Sequence, residues 1–533
     1  MRLAAFALPL SLASLSGCMQ ASANAEGVPL QTVASAAPKL VVLITVDQLR
    51  GDMLDRYRGD MRHGYARLMQ GAWFTNAHHD HAITETAPGH ASLLSGRFPR
   101  STGIMSNSAG VVDRDYRLLV GNEPGASPMR FQGTTLHDWL RAKDSRSRAL
   151  SVSRKDRSAI LPVGRSKQDV YWYSLSGNFT TSNYYRDTLP SWVQAFNARR
   201  IPHRYAGHEW DLLREASAYP EPDSVSFENG GRNFTFPYAY GDSTRAAQMV
   251  ANTPAIDSIT ALFALEGVSQ TGIGLGPQTD LLSVSFSATD AVGHTWGPDS
   301  REAHDNQMRL DITLGWFLDS LYKLRQPGTV LVALTGDHGV QPNPGLARAR
   351  GEATGDQGLI VSLRNEVSAV RAGLAARGVD SLAFDYDMQL VWLDRSATAA
   401  KRLDADSILN AFATAARRVR GVARVDRMRD LRRADPATDP VARRWVHQVA
   451  DGAPVDLVIT LTRYSYWYNA TATHGSPYDQ DSHVPIILYG PWARPGRNAQ
   501  FARVVDIGPT LAAVAGARPL ERLDGVVLMS GLR

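Results

Sequence analysis

The apolar positions of this chain fall into short continuous runs, separated by longer stretches with a helical period. Leu40-Val41-Val42-Leu43-Ile44-Thr45-Val46 is such a run and ends at Asp47. A continuous run, rather than an alternating one, predicts a strand buried on both faces, as in a parallel sheet covered by helices. The pattern recurs in Leu281-Leu282-Ser283-Val284-Ser285-Phe286, which leads to Asp290, and in Val330-Leu331-Val332-Ala333-Leu334, which leads to Asp337 and His338. Val455-Asp456-Leu457-Val458-Ile459-Thr460-Leu461 predicts a fourth strand of the same kind, followed by an aromatic loop to His474. Val484-Pro485-Ile486-Ile487-Leu488-Tyr489 predicts a further core strand. Between the runs, residues 302–324 carry Met308, Leu310, Ile312, Leu314, Phe317, Leu318 and Leu321 among their apolar positions, a helical pattern; 367–377 and 408–418 predict other helices. Strands alternating with helices predict an α/β fold, a doubly wound, mostly parallel sheet with helices on both faces.

Two stretches break this rhythm. Residues 107–278 are rich in Tyr, Trp, Ser and Asn with weak periodicity, and read as a large, cap-like insertion over the strand ends. Residues 366–436 read as a second, α+β insertion, and 344–356, with Gly345, Arg348, Arg350 and Gly351, as a surface loop. One α/β domain over 26–533, opening with a polar linker at 26–38, accounts for the rest. No internal repeat is visible.

Residues 1–25 read as a signal peptide. Met1-Arg2-Leu3 precedes an apolar run that ends at Leu15, too short for a permanent membrane span. Leu15-Ser16-Gly17-Cys18 resembles a bacterial lipoprotein signal, with cleavage before Cys18 and a lipid anchor on it; Ala23-Asn24-Ala25 offers a competing cleavage site. Both readings export the protein, to the periplasm or to the outer membrane as a lipoprotein. Cys18 is the only cysteine, so no disulfide framework is available to the mature chain. The net charge of +5 over 533 residues, without a dense Lys/Arg run, argues against a nucleic-acid partner.

The chemistry gathers around Thr86-Ala87-Pro88-Gly89-His90-Ala91-Ser92. Pro88 suits the first turn of a helix, where a missing N–H goes unused. Thr86 then sits at a helix N-terminus, where free N–H groups and the dipole favour an alkoxide or an attached phosphate. On local grounds alone, a plain helix cap is the better reading of Thr86. The rest of the chain decides otherwise, because Asp47, Asp290, His294, Asp337, His338 and His474 recur at successive strand ends. Three carboxylates and three imidazoles without thiolate suit zinc. Asp290 and His294, four apart, can share an ion, whereas adjacent Asp337 and His338 can serve two. A pair of ions about 4 Å apart is the usual arrangement for in-line phosphoryl displacement. His483 rivals His474 as a ligand, and Gly475 favours His474. The cluster His78-His79-Asp80-His81 reads as support for the loop before Thr86.

These motifs resemble the alkaline phosphatase superfamily, and within it the monomeric, Thr-nucleophile alkaline phosphatases of bacterial periplasms and the related type I phosphodiesterase/nucleotide pyrophosphatase family. The likeness rests on Thr45-Val46-Asp47-Gln48, on the Thr86 motif, on Asp290-Ala291-Val292-Gly293-His294, on Asp337-His338-Gly339-Val340 and on His474-Gly475-Ser476-Pro477-Tyr478. It implies two zinc ions, with Thr86 both ligand and nucleophile, a covalent phospho-threonine, and hydrolysis of small-molecule phosphate esters at alkaline pH. Asn107 looks like the family's phosphate-oxygen-binding Asn, and Lys155 and Arg157 like its Lys-x-Arg pair. A Lys and an Arg fork would neutralise the extra charged oxygen of a monoester dianion, whereas a diester needs room there. The expectation is a phosphate-monoester hydrolase, and the alternative is a phosphodiesterase or nucleotide pyrophosphatase on the same fold. Asn178-Phe179-Thr180, Tyr184 and Tyr185 resemble the family's substrate-cleft wall and read equally well as core aromatics. Threonine at 86 disfavours the sulfatase branch, which needs Cys or Ser. A non-catalytic metal-binding lipoprotein would require a missing nucleophile or ligand, and none is missing.

Overall fold

The computed structural model describes residues 36–533. The leader, Cys18 and most of the linker lie outside the described residues. The organising strand is Leu40–Val46, whose seven residues are all buried. It pairs in parallel with Asp280–Phe286 on one side and Val330–Gly336 on the other, and Val46 is level with both Phe286 and Gly336. That common register delivers Asp47 and Asp337 to one edge of the sheet and starts the helix Ala288–Trp296, with Asp290 in its first turn, at the same edge. Across the sheet the strands run Gly496–Arg503, Ala72–His78, His483–Tyr489, Val330–Gly336, Leu40–Val46, Asp280–Phe286, Ala149–Ser153, Asp169–Ser174 and Asn178–Thr180. His483–Tyr489 and Asn178–Thr180 run antiparallel to their neighbours, and the remaining pairings are parallel.

The continuous apolar runs are explained by two cores. Val42, Ile44 and Val46 point into one, with Val284, Leu314, Phe317 and Leu321. Val41 and Leu43 point into the other, with Ala87, Leu94, Leu140 and Leu511. On the first face lies the helix Arg301–Leu324, capped by Ser300, whose hydroxyl accepts from the Ala303 N–H at 3.1 Å. Each of its fully buried Leu and Phe side chains contributes about 1.5–3 kcal/mol. The other predicted helices are Arg364–Ala375 and Ala405–Ala416.

Three expectations need correction. The stretch 107–278 is not only an insertion, because Ala149–Ser153, Asp169–Ser174 and Asn178–Thr180 lie within it and form one flank of the central sheet. Buried serines and aromatics interrupt their buried aliphatics, and Ser151 is accommodated by donating to the Ala159 carbonyl at 2.6 Å, so a continuous aliphatic run is absent. Leu457–Leu461 belongs to a second, four-stranded antiparallel sheet, ordered Phe384–Asp387, Leu390–Leu393, Leu457–Leu461 and Val422–Arg427. It looks like a central strand because it too is buried on both sides: Leu457 and Ile459 face one small core, and Val458 faces another built on Trp445. The predicted loop 344–356 opens with the short helix Pro344–Ala349, capped by Asn343. Among the described residues no helix is long and apolar enough to cross a membrane.

Candidate active site

The helix Thr86–Ser95 is buried along its whole length. It begins at Thr86 itself, after an extended Glu85, so Pro88 falls in the first turn. Gly89 is required by a close approach: a Cβ there would overlap the Asp337 carbonyl oxygen and lie 3.0 Å from the carbonyl carbon. The Thr86 helix is therefore seated directly on the strand end that carries Asp337 and His338. Thr86 Oγ1 lies 3.4 Å from His338 Nε2 and 3.3 Å from Lys155 Nζ. The Ala87 N–H donates to Asn107 Oδ1 at 2.9 Å, and the Asn107 N–H donates to Glu85 Oε2 at 2.6 Å. Asn107 is thereby clamped beside Thr86 with its N–H₂ end unused by the helix.

Six side chains form two clusters beside this hydroxyl. Asp290 Oδ1 lies 3.2 Å from His294 Nε2 and 3.6 Å from His474 Nε2, and the two Nε2 atoms are 3.2 Å apart. Asp47 Oδ1 and Asp337 Oδ2 lie 3.5 and 3.7 Å from His338 Nε2. Asp290, His338 and His474 also come within 4.8 Å of one another, as do Asp47, Asp337 and His338. The His338 and His474 rings stack with centroids 3.6 Å apart. Each histidine uses Nδ1 on a backbone carbonyl: His294 on Ala472 at 2.9 Å, His474 on Thr84 at 2.8 Å, His338 on Gly339 at 2.9 Å. A donated Nδ1–H leaves an Nε2 lone pair aimed into the site, the arrangement of metal-bound histidines.

Electrostatics indicate that the site suits cations. Asp47 Oδ1 is buried without a hydrogen-bond donor, while Asp47 Oδ2 is met by Lys155 and Asp337 Oδ2 by His90 Nδ1 at 3.1 Å; a buried carboxylate oxygen left unpaired is costly unless positive charge faces it. Burial, reinforced by the nearby Asp337 carboxylate, pushes the Asp47 carboxyl well up. Burial acts the same way on Asp290 and Asp337. There it is outweighed, by Lys155 and His294 for Asp290 and by His338 and His90 for Asp337, so both are held well below the usual carboxylate range. Burial keeps His338 neutral, while Asp290 overcomes burial to raise His474 to about 9. Lys155 Nζ stands 2.7 Å from both Asp47 Oδ2 and Asp290 Oδ2. The donor set and the unpaired Asp47 oxygen fit bound divalent cations.

The remaining expected residues fall in varied places. Arg157 lies in the first turn of Asp156–Ile160, half-buried, 3.6 Å from Asp156 and not in contact with Thr86. His483 stays out of the clusters: it stacks on His78 at 5.0 Å and donates to the Thr75 carbonyl at 2.8 Å. In the His78-His79-Asp80-His81 segment, His79 donates to Gly336 O at 3.0 Å, and Asp80 gathers Arg443, Arg444 and His447. Phe179 is a core residue stacked on Phe263 at 3.9 Å.

Several contributing residues went unassigned in the sequence. Gln48 and His90 touch metal-cluster carboxylates, His90 Nδ1 lying 3.1 Å from Asp337 Oδ2; both sit inside quoted motifs, and that adjacency was the available signal. The hairpin between Phe384–Asp387 and Leu390–Leu393 closes one side of the cleft. Asp387 accepts from Ser108 at 3.1 Å, and Gln389 donates to the Gly475 carbonyl at 2.6 Å. Nothing local in the sequence marks that tip.

A threonine at a helix N-terminus, facing two Asp/His clusters on the C-terminal edge of an α/β sheet, defines a hydrolase class. The chain belongs to the type I phosphodiesterase / nucleotide pyrophosphatase family, which it matches over residues 41–379. Several of its relatives within that class are alkaline phosphatases. PhoV of Synechococcus elongatus is 31% identical over 525 residues, covering 91% of this chain and 90% of the relative. PafA of Elizabethkingia meningoseptica is 29% identical, covering 91% of this chain and 92% of the relative. A crystal structure of alkaline phosphatase PafA superposes with a TM-score of 0.86 at 27% identity, covering 94% of this chain and 100% of that one. PafA has also been solved as a variant substituted at one Thr, one Asn, one Lys and one Arg.

Proposed function

We propose that this chain is an exported alkaline phosphatase that hydrolyses small-molecule phosphate monoesters with Thr86 as nucleophile. The observation that carries this reading is the meeting of the Thr86 hydroxyl, Lys155 and six Asp and His side chains gathered in two clusters. Asp290, His294 and His474 would hold one divalent cation, and Asp47, Asp337, His338 and Thr86 a second; the N/O donor set favours zinc. Bound there, the pair supplies Lewis-acid stabilisation of the threonine alkoxide and of the leaving oxygen.

The chain's own residues do the rest. The helix N-terminus and Lys155 lower the cost of the Thr86 alkoxide. Its Oγ1 forms a bond to phosphorus as the bond to the leaving oxygen breaks, giving phospho-Thr86 and an alcohol or phenol. Water then attacks phosphorus, the P–Oγ1 bond breaks, and Thr86 and inorganic phosphate are released. Asn107, Lys155 and Arg157 bind the non-bridging oxygens of the transferred phosphoryl group. Residue types support this: the solved PafA variant alters one Thr, one Asn, one Lys and one Arg. The monomer, the periplasmic location and the lipid anchor at Cys18 are part of the same proposal and rest on the leader and the resemblance. The family's name favours one rival, a phosphodiesterase.

Steady-state hydrolysis of p-nitrophenyl phosphate against bis-p-nitrophenyl phosphate, with zinc at alkaline pH, separates the two. A monoester preference that collapses in Lys155→Ala/Arg157→Ala, together with loss of turnover in Thr86→Ala, is expected. A diester preference untouched by the double substitution would overturn the monoesterase reading.

A further inference from the structure

Gln48 follows the proposed ligand Asp47 and, among the described residues, is the one whose backbone and side chain each bond a carboxylate from a different cluster. Its main-chain N–H donates to Asp337 Oδ1 at 3.0 Å, and its side-chain Nε2 donates to Asp290 Oδ1 at 2.9 Å. To do both it adopts φ +66, in the left-handed region that favours glycine, with no exposed surface. A buried non-glycine residue in that conformation persists only where its surroundings hold it, and such positions cluster at functional sites.

The neighbourhood is shaped around the Gln48 amide. Gly293 lies in the interior of the helix Ala288–Trp296, where glycine is normally unfavourable. A Cβ there would overlap Gln48 Oε1 and lie 3.0 Å from its Cδ. Gly293 is three residues after Asp290, so one helical turn provides both the carboxylate that Gln48 binds and the space for its amide. The orientation is decided by charge: Oε1 turned toward Asp290 would face a carboxylate, so Nε2 takes that side. Asp290 Oδ1 is also the oxygen nearest both His294 and His474. Gln48 thus occupies one lone-pair direction of that oxygen and leaves the other toward the imidazoles.

We propose that Gln48 is a positioning residue that sets the relative placement of the two cation clusters, through its backbone for Asp337 and its side chain for Asp290. This rests on the two-cation reading above and adds that the side chain acts selectively on the Asp290–His294–His474 cluster. Gln48→Gly relieves the left-handed strain and keeps the backbone bond while deleting the side-chain bond. Gln48→Met keeps bulk and deletes the donor.

Zinc affinity is measured for wild type and both variants by competition with a chromophoric chelator, and the cobalt(II) absorption spectrum reports ligand geometry. Thermal unfolding of metal-free protein reports the fold. In Gln48→Gly, the affinity of one site falls by about 10–100-fold, the range for losing an outer-shell partner. The other changes less than about threefold, the cobalt spectrum changes, and the unfolding midpoint does not fall. Gln48→Met reproduces the selective loss. Unchanged affinities and spectrum in both variants, or equal weakening of both sites with a lowered midpoint, would overturn the proposal. Binding needs no substrate, so a wild type that binds two zinc ions yet turns over no monoester refutes the phosphatase reading and leaves this one standing.

Discussion

Gly89→Ala isolates the seating of the nucleophile helix on the metal-cluster strand. The backbone at Gly89 is not left-handed, so alanine is conformationally allowed and only space is at issue. Its Cβ would overlap the Asp337 carbonyl oxygen, lying 3.0 Å from the carbonyl carbon and 3.1 Å from the Asp337 Cβ. Carbon–carbon contacts prefer about 3.5–4.0 Å, so the Thr86 end of the helix or the Asp337 strand end must move by roughly 0.5–1 Å. The obstacle is backbone and cannot rotate away. A misplacement of about 1 Å can cost about 10²-fold in rate, equivalent to about 2.7 kcal/mol of transition-state stabilisation. Two terms oppose each other in stability: alanine gains roughly 0.5–1 kcal/mol over glycine in a helix, and overpacking costs about 1–3 kcal/mol. The net destabilisation is about 0–2.5 kcal/mol by these terms. kcat/KM for p-nitrophenyl phosphate is therefore expected to fall by about 100-fold with a small change in the unfolding midpoint. Activity within threefold of wild type would refute the claim that this contact aligns Thr86 with Asp337.

Two more outcomes follow from described contacts. Asp80, almost fully buried, is held at about 2 because His447 and Arg443 outweigh the burial that would raise it. Its folded pKa lies below the unfolded value near 3.9, so it contributes about 2–2.5 kcal/mol above pH 4 and loses this as pH falls from 4 to 2. In urea unfolding, Asp80→Asn should trail wild type at pH 7 and converge on it below pH 4, and a gap independent of pH would contradict this account. Removal of metal by chelator should abolish turnover and lower the unfolding midpoint, with zinc restoring both. A ligand at a thousand times its Kd adds about 4 kcal/mol, so an unchanged midpoint after chelation would mean that the clusters hold no cation.

The strands flanking the nucleophile were legible because burial on both faces leaves a continuous aliphatic run, as in Leu40–Val46. The same rule misplaced Leu457–Leu461, since a strand between two small cores is as apolar as one between two large ones. It overlooked Ala149–Ser153, whose serines are buried and satisfied by hydrogen bonds that no hydropathy pattern reveals. In the site, the Asp and His residues that the structure brings together were readable one by one in the sequence. The supporting contacts were not, because they join positions far apart in the chain, as Gln389 to Gly475 and Asp80 to Arg443 do.

The three imidazoles are anchored to main-chain oxygens of Thr84, Gly339 and Ala472. A carbonyl oxygen survives any substitution of the side chain beside it, so point mutation cannot delete these anchors. Sequence drift around the site is tolerated as long as the three loop paths are kept, and insertions or deletions there are the damaging class of change.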